Sequence, residues 1–255
     1  MDGSTLGRDI RLLQRAPILA ACRDGPVERS TIADRAGSSR TTVYRATTEL
    51  EAEGLLEKRA GGYALTNFGT TMLERLAHFQ DELDGARHVK ALLDRIDAPE
   101  LRDNVGLFTD ATVIEARPDA PYAIEQRLVS LVGAHTGEWF GFTRTFGSPA
   151  VVEAVSRAVL DGANAEWVFT SDAIAGLREQ HSEAQAEMRA LDRTATYVVE
   201  RLPFDFAALG GTLALIATDS TTGVHAAMAI TDNPAAVVWA RELFETHRDR
   251  AERVA

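Results

Sequence analysis

Residues 36–53, AGSSRTTVYRATTELEAE, constrain the chain more than any other stretch, because a turn signal there separates a short helical pattern from a strongly patterned one. Just before it, Ile32, Ala33 and Ala36 share one face at helical spacing, and Gly37 supplies the left-handed conformation that a tight exit needs. Ser38 or Ser39 is placed to cap the next helix. In that helix Val43, Ala46, Thr47 and Leu50 recur at i, i+3, i+4 and i+7 and form a packing face. The other face is left with Ser39, Arg40, Thr41, Tyr44, Arg45 and Thr48. This is the pattern of a helix-turn-helix whose second helix presents hydroxyl and guanidinium groups to the phosphates and base edges of double-stranded DNA.

The residues that follow extend the pattern. Gly54 stops the helix, Leu55–Arg59 reads as a strand, Gly61-Gly62 as a hairpin turn and Tyr63–Leu65 as its return, before Thr66 caps another helix. That order predicts a wing, with Lys58 and Arg59 on it facing backbone phosphate.

A net charge of -11 and a pI of about 5.1 argue against nucleic acid until the charge is divided along the chain. Residues 1–75 hold 11 Lys+Arg against 10 Asp+Glu, whereas residues 76–255 hold 16 against 28, so the acidic burden lies outside the expected DNA reader. Only Lys58 and Lys90 are lysines, so 25 of the 27 basic residues are arginine, a composition that a high-salt cytoplasm or a high-GC genome produces and that favours a halophilic archaeon. The single cysteine, Cys22, excludes an intrachain disulfide or a cysteine-based zinc cluster and suits a reducing cytosol. Nothing in the polar N-terminus resembles a signal peptide and no run is long enough to span a bilayer, so a cytoplasmic location with no membrane partner is expected.

Taken in order, residues 1–9 read as a loose tail and Ile10–Arg23 as a first helix that Pro17 divides or begins. Phe68–Asp97 is mostly helical, with Gly85 as a bend and an apolar stripe of Met72, Leu76, Phe79, Leu83, Val89, Leu92 and Leu93. From about Leu101 the pattern changes to short β-branched and aromatic runs alternating with helices. Strands are expected at 111–116, 137–143, 165–170, 196–200, 213–218 and 224–231, the last two as an antiparallel hairpin. Helices are expected at 122–134, 148–161, within 171–191, and from Pro234 to about Glu252. The fold class is therefore α+β / α/β: a winged helix-turn-helix over residues 1–75, a helical linker or dimerisation element over 76–100, and an α/β effector domain with a mostly parallel sheet over 101–255.

The string EGLLEKRAGGYALTNFG resembles many prokaryotic winged helix-turn-helix regulators. Together with ARPDAPYAIEQRL, GEWFGFTR and LPFDFAAL later in the chain, it is similar to haloarchaeal regulators whose second domain is named after a methanogenesis regulatory protein. That resemblance implies transcription regulation, a non-catalytic phospholipase-D-like α/β effector domain, and a homodimer, and it fixes no ligand. Two-fold pairing through the stripe from Met72 to Leu93 would double the half-site read by one winged helix, although the same residues could pack against their own α/β domain.

Enzyme templates find little support. Phospholipase-D-type phosphodiesterases use His-x-Lys with an Asp five residues after the lysine, so that histidine attacks phosphorus while lysine neutralises its oxygens. His88-Val89-Lys90 meets only the start of that template, since position 95 is Arg95. Gly210-Gly211 belongs to no phosphate-binding loop, no nucleophile elbow occurs, and the six histidines lack metal-ligand spacing, with His135 and His225 reading as structural. No cofactor or metal is expected. The alternative class is a phosphodiesterase-like or other enzyme carrying a DNA-binding domain.

If the second domain binds an effector, the carboxyl ends of its parallel strands are the expected place, because loops and helix N-termini converge there. Arg144 is the first choice for a charge contact and Arg117 the second, with Thr143, Ser148 and Ser171 as hydrogen-bonding groups. That set suits a small anionic or hydroxylated effector. Read more plainly, the two serines are helix caps and the arginines pair with nearby carboxylates.

Overall fold

The computed structural model describes residues 3–144, 148–180, 193–219 and 221–254. The chain divides after Gln80 into two compact units.

The first unit is built from α1 (Gly3–Ala21), α2 (Arg29–Arg35), α3 (Arg40–Ala52), the strands β1 (Leu56–Arg59) and β2 (Gly62–Leu65), and the start of α4 (Asn67–His88). The expected tail at 1–9 is largely helix, and Pro17 lies inside α1 instead of dividing it. Its neighbours Ala16, Ile18 and Leu19 are all buried, and that packing offsets the backbone bond a helical proline forfeits. The α3 face expected to be apolar is the buried one, with Val43, Ala46, Thr47 and Leu50 turned inward against Ile18, Leu19 and Ile32. Gly37 is left-handed at φ 60°, and Ser39 is the cap, its Oγ accepting from the Thr42 amide at 3.1 Å. The β1–β2 pair is antiparallel and closes through Ala60-Gly61, while Thr66 Oγ1 accepts from the Gly69 amide and caps α4.

The second unit holds one eight-stranded sheet between two helical layers. In sequence order its strands are β3 (Thr112–Glu115), β4 (Glu138–Thr143), β5 (Asn164–Thr170), β6 (Thr194–Val199), β7 (Asp205–Leu209), β8 (Thr212–Thr218), β9 (His225–Thr231) and β10 (Glu252–Arg253). Across the sheet they run β10-β6-β5-β4-β7-β8-β9-β3. The helices α7 (Ala123–Ala134), α8 (Pro149–Leu160) and α9 (Ser171–Gln180) cover one face. On the other face lie α5 (Lys90–Leu93), α6 (Pro99–Arg102), a 3-10 turn at Val105–Phe108, and the last helix, α10 (Pro234–Arg248), around Phe140, Phe142, Phe206 and Phe244.

The expected fold class stands, but the sheet is mixed and not mostly parallel. Only β4–β5 and β5–β6 run parallel; the other five pairings are antiparallel. After β6 the chain returns as β7 on the far side of β4 and then continues through tight turns, which can join only antiparallel neighbours. Strand β7 escaped the sequence reading because its five residues, DFAAL, include no β-branched side chain, whereas the equally buried β8 is longer and carries threonine and isoleucine. The final helix ends at Arg248, and β10 occupies the residues expected to prolong it.

The 76–100 stretch does not stand apart as a linker. Val89, Leu92 and Ile96 are buried in the core of the second unit, and Leu73 and Leu76 in that of the first. Gly85 is no bend, since α4 continues to His88; it is glycine because the Val105 carbonyl lies where a Cβ would project.

Cys22 is plain core, 1 % exposed, and burial pushes its thiol up to about 11 despite the nearby Arg35 charge. Because the thiolate is the reactive form, Cys22 in the folded protein should resist alkylation at pH 8 and react promptly once urea unfolds the chain. Rapid labelling of the native protein at that pH would contradict this packing.

Candidate nucleic-acid interface and ligand pocket

The exposed side of α3 carries Arg40, Thr41, Tyr44, Arg45 and Thr48, with Ser39 exposed at its cap. The structure thus places all six expected residues on one surface, the wing residues Lys58 and Arg59 also being exposed. Arg59 is paired with Glu57 on the same strand.

One residue of this surface was missed in the sequence. Arg29, at the start of α2, lies with its guanidinium carbon 4.3 Å from the Tyr44 ring centre and 4.8 Å from that of Tyr63. Its Nε donates to Thr47 Oγ1 at 2.9 Å and its Nη2 donates to the Tyr63 hydroxyl. Arg29 therefore ties the middle of α3 to the wing and holds the exposed Tyr44 ring in place. Its partners are 15 to 34 residues away, beyond the reach of helical periodicity. Replacing it with alanine should cost about 1–2 kcal/mol of unfolding free energy, from the lost stacking and side-chain hydrogen bonds. Urea denaturation checks this, and an unchanged midpoint would show these contacts to be idle.

In the second unit, a cavity of about 170 Å³ lies between the sheet and the α7–α8–α9 layer. Its walls are Leu128, Val132, Val151, Val155, Trp167 and Ile174, among others; Thr194 and Thr196 of β6 add hydroxyls at one side, and Thr143, Asp205 and His225 supply further polar groups. Register explains how these three meet. Phe142 pairs with Phe206, which sets Thr143 level with Asp205; Asp205 pairs with Ile216; and Thr218 pairs with His225. Thr143, Asp205, Thr218 and His225 thus end four consecutive strands at the carboxyl end of β4.

The five expected effector residues divide. Thr143 lines the cavity. Arg144 adjoins it but is engaged: its amide and Nε donate to the Asp205 carboxylate and its Nη1 donates to the Pro203 carbonyl at 3.2 Å. Ser148 precedes α8 without capping it, and its Oγ is buried with no hydrogen-bond partner. Ser171 is exposed, the capping bond to the Ala173 amide coming instead from Thr170. Arg117 is exposed in a turn and pairs with Asp119. Residues 145–147 of the loop expected beside them lie outside the described residues.

Among histidines, His88 bonds the Ala111 carbonyl and Lys90 pairs with Asp94, so the partial phosphodiesterase match is structural. His135 bonds Leu131 O and Thr212 Oγ1, as expected of a structural histidine. His225 differs. It is 7 % exposed, its Nδ1 has no hydrogen-bond partner, and the nearest carboxylate oxygen, Glu125 Oε1, stands 3.6 Å away. Its position was legible in one way: His225 and Asp232 keep the phosphodiesterase spacing, with Ala227 where lysine would be. The two flank β9 at opposite ends, roughly 20 Å apart along an extended chain, so they do not form a joint site.

The model of the methanogenesis regulatory protein FilR1 middle domain matches residues 121–250, and that of the HVO_A0261 N-terminal domain matches residues 5–88. The first spans over half of the chain, which therefore belongs to the FilR1 middle-domain family. No curated protein matches it. Among solved structures, the archaeal chromatin protein TrmBL2 is similar at 13 % identity, with 95 % of this chain and 94 % of that one covered and a TM-score of 0.46. The phospholipase D family member Nuc from Salmonella typhimurium follows at 12 % identity, with coverages of 57 % and 99 % and a TM-score of 0.45. Likenesses at this level carry no assignment of function.

Proposed function

We propose that this protein is a sequence-specific transcription regulator that reads double-stranded DNA with α3 as a homodimer, while its α/β unit senses a small molecule. The observation that carries the reading is the exposed face of α3, where Arg40, Tyr44 and Arg45 gather beside a wing bearing Lys58 and Arg59. Membership in a family named for a regulatory protein supports it, as does the near-neutral charge of residues 1–75 in an otherwise acidic chain. The arginine-rich, acidic composition suits a halophilic archaeon, and among the described residues no helix is long and apolar enough to cross a membrane. Against a phosphodiesterase, the one strand that keeps the histidine and aspartate spacing has alanine where an ammonium would neutralise the phosphate.

Arg40→Ala or Arg45→Ala should weaken operator binding by about 1–3 kcal/mol and relax sequence preference, as lost base-edge contacts do. Lys58→Ala and Arg59→Ala should weaken binding to every sequence and lower the salt slope by about one each. Fluorescence anisotropy across a salt series separates the two. Unchanged affinity and preference in both α3 variants would remove α3 as the reader.

Pairing has a more limited surface than the sequence suggested, because Leu76 packs inside the first unit's core. Phe68, Phe79 and Leu83 remain exposed at 51, 47 and 39 %, within about 60° of one another around α4. Sedimentation should therefore show a dimer that Phe79→Asp with Leu83→Asp converts to a folded monomer. A dimer that persists in the double variant would move the interface elsewhere.

A further inference from the structure

We propose that the cavity under α7 and α8 is the effector site, and that it takes a small, mainly apolar ring compound carrying one neutral hydrogen-bond donor, a phenol or an indole in kind. This rests on the reading that the α/β unit senses a small molecule, and it departs from the anionic effector expected from sequence.

Size and lining set the class. The half-open cavity, of about 170 Å³, is slightly larger than the roughly 150 Å³ that admits benzene. Four valines of α8 (Val151, Val152, Val155 and Val159) and the Trp167 ring supply much of the wall. Gly141 makes room for that ring, since a Cβ there would strike Trp167 and the Phe206 carbonyl.

Electrostatics select the head group. His225 lines the cavity with its side chain 8 % exposed, and among the described residues neither its Nδ1 nor Glu125 Oε2 behind it has a hydrogen-bond partner. Buried polar groups of native proteins are normally paired, so an unpaired histidine nitrogen beside an unpaired carboxylate oxygen marks a place where a ligand completes the set. Two carboxylates, Asp205 and Glu125, flank this end, and the nearest cation, Arg144, is already engaged by Asp205. An anionic head would be opposed by the Glu125 carboxylate and find Arg144 already engaged, whereas a donor O–H or N–H would find acceptors. The ring then lies among the valines and Trp167, and the donor reaches His225.

Thermal shift and calorimetry on the full chain test this with phenol, indole, benzene and benzoate. Phenol or indole should raise Tm saturably and benzoate should not. His225→Phe, which keeps the ring volume without nitrogens, should weaken phenol or indole binding about tenfold and leave benzene unaffected. Val155→Trp, which fills the cavity, should abolish binding of all three, and an unchanged far- and near-ultraviolet circular dichroism spectrum with a cooperative thermal transition in the ligand-free variant would show that it folds. Preferential binding of benzoate, or binding that survives Val155→Trp, would overturn the proposal, as would failure of every probe to bind. If phenol or indole binds as described but leaves operator affinity unchanged, the site stands and the sensing reading fails.

Discussion

A buried carboxylate holds the two halves of the large sheet together. Asp205 is 3 % exposed at the start of β7, the strand that brings the chain back beside β4 with opposite direction. There it accepts from the Arg144 amide and Nε and from Thr218 Oγ1 at 3.2 Å, so one side chain links the ends of β4, β7 and β8. A charge so far from water is tolerable only when paired and hydrogen-bonded. The partly exposed guanidinium of Arg144 supplies both conditions, and its second contact, to the Pro203 carbonyl, fixes the approach of the chain into β7. The parallel and antiparallel parts of the sheet meet at this junction, and the cavity opens beside it.

The first unit follows a different logic, in which local sequence fixes most of the shape and a shared core and one long-range side chain join the parts. Gly37 and Ser39 set the turn and the cap of α3, and the buried Val43, Ala46 and Leu50 hold it against α1 and α2. Arg29 then couples α3 to the wing through Tyr44, Thr47 and Tyr63. With Leu56 and Tyr63 in the same core as Val43 and Leu50, this contact presents α3 and the wing as one surface.

How much of this was legible depended on periodicity. Amphipathic elements such as α3, α7 and α8 announced themselves because one face meets water and the other does not. Strand β7, short and without a β-branched residue, gave no such signal, and with it went the direction of most of the sheet. The α3 and wing residues were read correctly as an exposed set because their position follows from helical and hairpin spacing alone. Asp205, His225 and Arg29 were missed because their roles depend on partners brought close only by folding. Arg144 was singled out for its charge, but that charge is answered by a strand the sequence reading did not contain.

The central claim is that α3 reads sequence in a two-fold assembly, and selection of bound duplexes from a randomised pool by the purified full chain tests it most directly. The account predicts enrichment of one pseudo-palindrome whose half-sites lie about one helical turn, or a multiple of it, apart. Bound duplexes that share no motif, with affinity set only by salt concentration, would contradict it.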